Sequence, residues 1–334
     1  MKNIAKKKDK KKRSEYQQLG PRPLYFPHMF DYNTPVLPWL CGLFRFLCCV
    51  FCCPPYPSWI AEKLAFLPPE PNYEIVVDEM TGEECIFSIL NESPYATVSL
   101  VPGPANPNLM KAKYVHTSSG NRIVTLHIKS SGLPNGPKRT ILFSHGNAAQ
   151  LSDLPLDLIA LGPILKCDFF CYDYSGYGQS TGKPSEANLH SDIRAAFECL
   201  VKDYDLQPSD VILWGQSIGS VPTISLASEF PVAGVIVEGA FLSALKYAGL
   251  KKLCCGDIFR NFKKISEITS PTLMIHSIQD DVVPFDHAEE LYNLCQNPVE
   301  PLWLSGEHNQ YSNDSMKRRK NRLASFINLE ISAE

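Results

Sequence analysis

A serine between two glycines is the first feature of this sequence that could carry out chemistry. The order Gly215-x-Ser217-x-Gly219 follows four apolar residues, Val211 to Trp214, and precedes a run that fits a helix. When a sharp strand-to-helix turn projects a serine, the positions two residues away on either side have little room for a side chain. The pattern also occurs in ordinary glycine-rich turns, so Ser217 is a candidate nucleophile only if an acid and a histidine follow it.

Residues of both kinds do follow Ser217. An acyl-transfer serine needs a base that removes its proton and an anion that holds the base in the right tautomer. Of the eight histidines, only His287 and His308 lie beyond the predicted acid loop. His308 follows the last predicted strand and is the predicted base, whereas His287 falls within a predicted helix and is assigned to the surface. Asp280 is the predicted acid and Asp281 the fallback, although either carboxylate could instead cap the next helix.

The exit of another apolar strand, Thr140 to Phe143, supplies a candidate oxyanion site. It runs into Ser144 to Ala148, and a glycine at the end of a central strand lets backbone N–H groups face a ligand. The predicted donors are the N–H groups of Asn147 and of Ile218, the residue after the candidate nucleophile. The alternative interpretation is that Gly146 merely permits a tight exit from the strand.

Strand and helix patterns alternate throughout the chain beyond residue 73, which predicts an α/β domain with a mostly parallel sheet and helices on both faces. The glycine-rich loop 173–180 lacks the Gly-Lys-Ser/Thr of a phosphate site and is predicted to be structural. The mixed segment 238–265 is where a lid or an acyl-binding wall would lie. The predicted strands are 73–77, 111–116, 122–128, 140–143, 167–172, 211–214, 232–237, 272–276 and 300–304, and the predicted helices are 151–166, 186–204, 285–294 and one ending near 327.

Composition argues against several other classes of protein. A chain of 334 residues with 44% hydrophobic and 20% charged residues fits one large α/β domain with extensions. The net charge of −3 gives no overall attraction to nucleic acid, but residues 1–35 begin with a run of lysines and form a predicted basic, flexible arm. No signal peptide is recognised, and the thiols are expected to be reduced on the cytosolic side. No cofactor is predicted.

Five clustered cysteines mark the apolar segment 36–57, for which three interpretations compete. A transmembrane helix needs about 20 mostly apolar residues, and this run is short and contains Pro38 and Arg45. A metal site at Cys49-x-x-Cys52 lacks a second pair of ligands. We favour a membrane-surface anchor whose cysteines are S-acylated, with the basic arm as a second signal for anionic lipid. The candidate acylation sites are Cys41, Cys48, Cys49, Cys52 and Cys53.

These motifs together resemble the alpha/beta hydrolase domain-containing protein 17 family from Leu47 to about His308. The resemblance implies an α/β-hydrolase fold over residues 73–330. The amphipathic pattern before it, which ends at two prolines, predicts a connector helix at 58–72. Ser277 stands where the family usually has glycine. The runs that carry the resemblance include Cys52-Cys-Pro-Pro-x-Pro57, Phe143-Ser-His-Gly-Asn-Ala148, Tyr172-Asp-Tyr-Ser-Gly-Tyr-Gly178 and Gly215-Gln-Ser-Ile-Gly219.

The same resemblance implies a membrane-bound serine hydrolase that removes palmitoyl groups from protein cysteines. It places Ser217, Asp280 and His308 at the nucleophile, acid and base positions and the cysteine cluster at the palmitoylated anchor. S-palmitoylated membrane proteins are then the expected substrates, at the cytoplasmic face of the plasma or endosomal membrane. A lipid ester hydrolase and a membrane-tethered binding module of weak activity are the alternatives.

Overall fold

The structure is a computed structural model that describes residues 62, 65–77, 84–89, 110–130, 133, 139–249, 257–308 and 310–331. The predicted arm, the segment 36–57 and all five of its cysteines lie outside these residues. Within the described part of the predicted connector, the Phe66 N–H donates to the Glu62 carbonyl at 3.1 Å, the spacing of a helical turn. Residues 66–72 are not helical, so the predicted helix does not extend to residue 72. No helix in these ranges combines the length and hydropathy needed to cross a membrane.

A mixed sheet of eight strands forms the centre of the described domain, in the order β10-β9-β8-β7-β5-β6-β4-β3. Neighbours from β10 to β6 run parallel, whereas β4 is antiparallel to both β6 and β3. The α/β-hydrolase fold predicted above, with its mostly parallel sheet, is thus confirmed. The strands are β1 (Tyr73–Val77), β2 (Glu84–Ile89), β3 (Met110–His116), β4 (Arg122–Ile128), β5 (Arg139–Ser144), β6 (Cys167–Tyr172), β7 (Val211–Gln216), β8 (Gly234–Glu238), β9 (Thr272–Ser277) and β10 (Leu302–Leu304).

Helices cover both faces of this sheet. Successive side chains of a strand point to opposite sides, so each buried strand contributes apolar side chains to both faces. In β7, Val211 and Leu213 belong to one hydrophobic cluster, whereas Ile212 and Trp214 belong to the other. Helices α2, α3 and α6 contribute to the first cluster, and α1 and α7 contribute to the second. The α-helices are α1 (Pro155–Leu165), α2 (Glu186–Asp203), α3 (Ser220–Glu229), α4 (Ala244–Tyr247), α5 (Asn261–Lys264), α6 (Phe285–Leu294) and α7 (Asn313–Ser325), with short 3₁₀ turns at Leu151–Asp153, Pro208–Asp210, Ser217–Gly219 and Ile265–Glu267 and a π turn at Phe326–Glu330.

The sheets differ from the sequence prediction by one added strand and by the later start of two others. Strand β8 begins at Gly234 instead of residue 232. Strand β2 was not predicted, and it pairs with β1 in a separate two-stranded antiparallel sheet. Strand β10 begins at Leu302 instead of residue 300, because Pro301 has no N–H to donate to a neighbouring strand.

The candidate site lies where the parallel strands end. Strands β5, β7, β9 and β10 run in the same direction, so their exits meet at one edge of the sheet. Ligand sites of open α/β sheets form at this carboxyl edge. The candidate oxyanion loop, nucleophile, acid and base follow β5, β7, β9 and β10 respectively.

Candidate active site

Ser217 occupies a strained turn between β7 and α3. Its φ of 52° lies in the left-handed region, which costs a residue with a Cβ about 1–2 kcal/mol. Gly219 has an ordinary φ of −61°, but a Cβ there would lie 2.7 Å from the His145 carbonyl oxygen. A Cβ at Gly215 would lie 2.5 Å from the Thr223 hydroxyl oxygen. Neither position therefore has room for a side chain. This is the shortage of space that the Gly-x-Ser-x-Gly pattern predicts.

The structure brings Ser217, His308 and Asp280 together although they lie far apart in the chain. The Asp280 carboxylate accepts a hydrogen bond from His308 Nδ1 at 2.7 Å, so that His308 Nε2 is left to accept the Ser217 hydroxyl at 3.1 Å. The side chains of His308 and Asp280 are 7% and 1% exposed. This chain of hydrogen bonds is the arrangement that activates a serine as a nucleophile.

Asp280 is held in its charged form by its hydrogen-bond donors. Burial alone would raise the pKa of its carboxyl, but the hydrogen bond from His308, the charge of that ring and the Val283 N–H together lower the pKa below the ordinary value. Its other oxygen accepts the N–H groups of Val282 and Val283 at 2.9 and 2.7 Å. The neighbouring Asp281 is exposed, and it accepts the backbone N–H of His308 at 3.0 Å.

Three further residues lie against the His308 loop. Gly239, after β8, has a φ of 61°, and a Cβ there would lie 2.9 Å from Cε1 of the His308 ring. The Ser277 hydroxyl donates to the carbonyl of Gly306, and Gln279 accepts the Gly306 N–H at 3.1 Å. The Ser277 side chain thus makes a contact with this loop that a glycine could not make.

A buried histidine that sequence reasoning did not assign to the site lies behind Asp280. His276, the penultimate residue of β9, has Nε2 2.9 Å from the Val283 carbonyl and 3.4 Å from the Asp280 carboxylate. Burial lowers the pKa of His276, and the opposing charge of Asp280 does not fully offset this. Its spacing of four residues from Asp280 was the available signal.

His287 lies in α6 as predicted, but its assignment to the surface was wrong. The side chain is on the buried face of the helix, with the residue 5% exposed, and its Nδ1 accepts the Leu242 N–H at 3.1 Å. Burial lowers its pKa, with the charge of Asp286 opposing the effect. It fixes the loop after β8.

The loop after β5 lies directly against the candidate nucleophile. A Cβ at Gly146 would be 3.9 Å from Ser217 Cβ, and Asn147 is the next residue. Ile218, the residue after Ser217, is buried at 5% exposure. Both residues predicted to donate oxyanion N–H groups are therefore adjacent to Ser217 or to a residue that contacts it; the donor role itself stays a prediction.

The glycine-rich loop 173–180 does more than connect β6 to α2. The Tyr174 hydroxyl donates to the His145 carbonyl, and the Tyr177 hydroxyl donates to Asn147 Oδ1 at 2.7 Å. Through these two hydrogen bonds, the loop after β6 holds the loop after β5. Across the described ranges, no three His, Cys, Asp or Glu side chains are grouped so that they could hold a metal ion.

Comparison with known proteins assigns the family. Human alpha/beta hydrolase domain-containing protein 17B is 42% identical over 291 residues, which cover 86% of this chain and 97% of that protein. The chain belongs to the alpha/beta hydrolase domain-containing protein 17 family. Another relative, alpha/beta hydrolase domain-containing protein aho-3 of Caenorhabditis elegans, is 40% identical over 293 residues, covering 87% of this chain and 84% of that protein. No family model matches the chain.

Solved structures show that this chain shares its fold with esterases. The Pyrococcus furiosus esterase Pf2001 superposes with a TM-score of 0.55 at 17% identity and covers 66% of this chain and 91% of its own. An alpha-beta serine hydrolase homologue from Coxiella burnetii gives a TM-score of 0.51 at 17% identity, covering 66% and 97%. At these identities the likeness establishes the fold alone. By family and fold, the chain is an α/β hydrolase.

Proposed function

We propose that this α/β hydrolase cleaves long-chain acyl thioesters on S-acylated, membrane-associated proteins. The observation that carries the proposal is the unbroken chain of hydrogen bonds from Asp280 through His308 to Ser217. The thioester specificity is supported by the resemblance of the sequence to a family of depalmitoylating hydrolases and by the predicted membrane anchor at 36–57.

The proposed reaction forms and then hydrolyses an acyl-enzyme. Ser217 Oγ attacks the thioester carbonyl carbon while its proton passes to His308 Nε2. The C–S bond then breaks, and the cysteine sulfur of the substrate protein leaves with the proton from His308. Water next attacks the acyl-serine, gives one proton to His308, and releases the fatty acid as the Ser217 hydroxyl recovers its proton. Asp280 holds the imidazole in the tautomer that makes these transfers possible.

Negative charge develops on the carbonyl oxygen in both steps. The N–H groups of Asn147 and Ile218 are the proposed donors to this oxygen, and removing one such donor from an acyl-transfer enzyme typically costs about 10²–10³-fold in kcat. The aromatic residues Phe241 and Phe259, in the segment predicted to form a lid or an acyl-binding wall, are buried and pack edge to face with ring centroids 6.1 Å apart. We propose that apolar side chains of this segment contact the acyl chain.

A fluorophosphonate probe tests whether Ser217 is an activated nucleophile. The proposal predicts covalent labelling of the full chain that is lost in Ser217→Ala, with Ser220→Ala as the matched control because Ser220 lies one turn away in α3 and is buried. No labelling of the unmodified chain would favour the binding-module alternative, and equal labelling of Ser217→Ala would show that the probe reacts at another residue. Comparing release of palmitate from an S-palmitoylated peptide and from a monoacylglycerol then separates the thioesterase from a lipid ester hydrolase.

The proposed location is the cytoplasmic face of the plasma or endosomal membrane, as a peripheral protein. Multiple acyl chains together with basic residues anchor a protein stably, whereas a single chain binds only marginally. Replacement of all five clustered cysteines by serine is predicted to move the chain into the soluble fraction of a cell lysate. Continued retention of that variant on membranes after alkaline extraction would support a spanning segment instead.

A further inference from the structure

The connector from the predicted anchor to the domain lies against the candidate oxyanion loop. The Asn147 side chain links the two, because its Nδ2 donates to the Ala65 carbonyl at 2.6 Å and its Oδ1 accepts the Leu67 N–H at 3.0 Å. Its Oδ1 also accepts the Tyr177 hydroxyl at 2.7 Å. One amide group is thus held by the connector on one side and by the loop after β6 on the other.

The connector is docked on the domain independently of Asn147. Phe66 is buried at 6% exposure, and its ring packs edge to face on Phe259 with centroids 5.6 Å apart. A Glu62 carboxylate oxygen accepts the Glu186 N–H at 3.0 Å, at the first turn of α2. Carboxylates at this position interact favourably with the helix dipole. The connector therefore has a defined position from which it can hold Asn147.

A second set of contacts runs from the first residue of β1, directly after the connector, to the start of the same loop. The hydroxyl of the buried Tyr73 donates to Asp173. The second oxygen of Asp173 lies 3.3 Å from Nε2 of His145 and accepts the Leu151 N–H at 2.9 Å. His145 directly precedes Gly146 and Asn147, so the start of β1, which follows the connector, is linked through Asp173 to the start of the same loop.

The loop itself is not in a relaxed conformation. Ala148 has a φ of 55°, in the left-handed region, and its N–H donates to Asn147 Oδ1 at 3.1 Å. A non-glycine residue stays in this region when surrounding contacts hold it there. The position of the Asn147 backbone N–H thus depends on contacts made by the Asn147 side chain, and the connector makes two of them.

We propose that the connector is part of the active site: residues 65–67 clamp the Asn147 side chain and thereby hold the backbone N–H that stabilises the oxyanion. This inference rests on the proposed function. Asn147 is a positioning residue through its side chain, and Phe66 holds residues 65–67 on the domain through its contact with Phe259. Release of the clamp is expected to slow turnover without weakening substrate binding, because the oxyanion exists in the transition state and not in the bound substrate.

Steady-state kinetics on full-length variants tests the clamp. Asn147→Ala removes it directly, and Phe66→Ala loosens the connector without altering the loop. The substrate is a soluble aryl ester, and active sites are counted by titration with the fluorophosphonate probe. In both variants, kcat per active site is expected to fall about tenfold while KM stays within about twofold. This loss in kcat is smaller than the loss caused by deleting an oxyanion donor. The matched control is Ser152→Ala, which removes a hydroxyl donor to Asn72 farther along the connector and should retain kcat within about twofold.

Titration of active sites separates a loss of folded protein from a loss of rate. If both Asn147→Ala and Phe66→Ala keep the unmodified kcat per titrated site, even with a lower melting temperature, the connector is structural and the clamp is refuted. If kcat falls equally in Ser152→Ala, the effect is not specific to Asn147 and the clamp is also refuted. Hydrolysis that persists fully in Ser217→Ala refutes the proposed function and this inference together.

Discussion

Replacing Asp280 by asparagine should trap His308 in the wrong tautomer. The Asp280 oxygen that accepts the N–H groups of Val282 and Val283, at 2.9 and 2.7 Å, must remain an oxygen in the variant, since an NH₂ there would face two donors. The new NH₂ then faces His308 Nδ1, which now lies 2.7 Å from the carboxylate. That nitrogen must accept a hydrogen bond, so the ring proton moves to Nε2. Nε2 can then no longer take the proton of Ser217.

The expected loss in kcat is about 10⁴-fold, the size found for the same change in a Ser-His-Asp triad, which corresponds to about 5.5 kcal/mol of barrier. The assay is the initial rate of aryl ester hydrolysis by folded, full-length Asp280→Asn. The control is Asp281→Asn. Its amide oxygen can still accept the His308 backbone N–H now bonded to Asp281 at 3.0 Å, so kcat should change by less than about threefold. If Asp280→Asn keeps more than about a tenth of the unmodified kcat, or if Asp281→Asn loses as much, the tautomer argument is wrong.

Three further substitutions test other parts of the structure. Gly239→Ala places a Cβ 2.9 Å from the His308 ring at a φ of 61°, so kcat should fall at least about tenfold; an unchanged kcat would mean the ring can shift without cost. Glu238→Gln breaks a buried bidentate pair with Arg319, at 2.7 and 2.8 Å, and should lower the free energy of unfolding in urea by about 3–5 kcal/mol. A loss below about 1 kcal/mol would show that the pair contributes little. Burial raises the pKa of Asp192 to about 7, against the hydrogen bonds from Ser175. The folded chain therefore binds this proton more tightly than the unfolded chain does, and the stability of the unmodified protein should fall as pH rises from about 4 to 7 relative to Asp192→Asn. A difference in urea midpoint that does not vary with pH would contradict that pKa.

The parts of the site that follow strand exits could be predicted from the sequence. The spacing of Gly215 and Gly219 around Ser217 reflects a shortage of space in the turn itself, which is a local property. The order of the acid and the histidine along the chain reflects the order of strands in the sheet. Because parallel strands end at one edge, candidates that follow β7, β9 and β10 had to lie close together.

The contacts between segments distant in sequence could not be predicted in the same way. Asn147 meets the connector across about 80 positions, and no periodicity in either segment records the contact. The helical pattern of α6 placed His287 in the correct element, but its burial depends on the loop after β8 packing over it. Strand β2 went unrecognised because its partner, β1, forms a small sheet apart from the central one.

The most direct test of the account is to look for the acyl-enzyme on Ser217. A palmitoyl thioester peptide is mixed with the full-length protein, the reaction is quenched in acid during turnover, and the peptide that contains Ser217 is analysed by mass spectrometry. The account predicts a palmitoyl adduct on Ser217 that disappears as substrate is exhausted. In His308→Ala, formation and hydrolysis of the adduct both lose their base, so any adduct that does form persists. Thioester hydrolysis at the unmodified rate by Ser217→Ala, or an adduct on another residue of the unmodified chain, would contradict it.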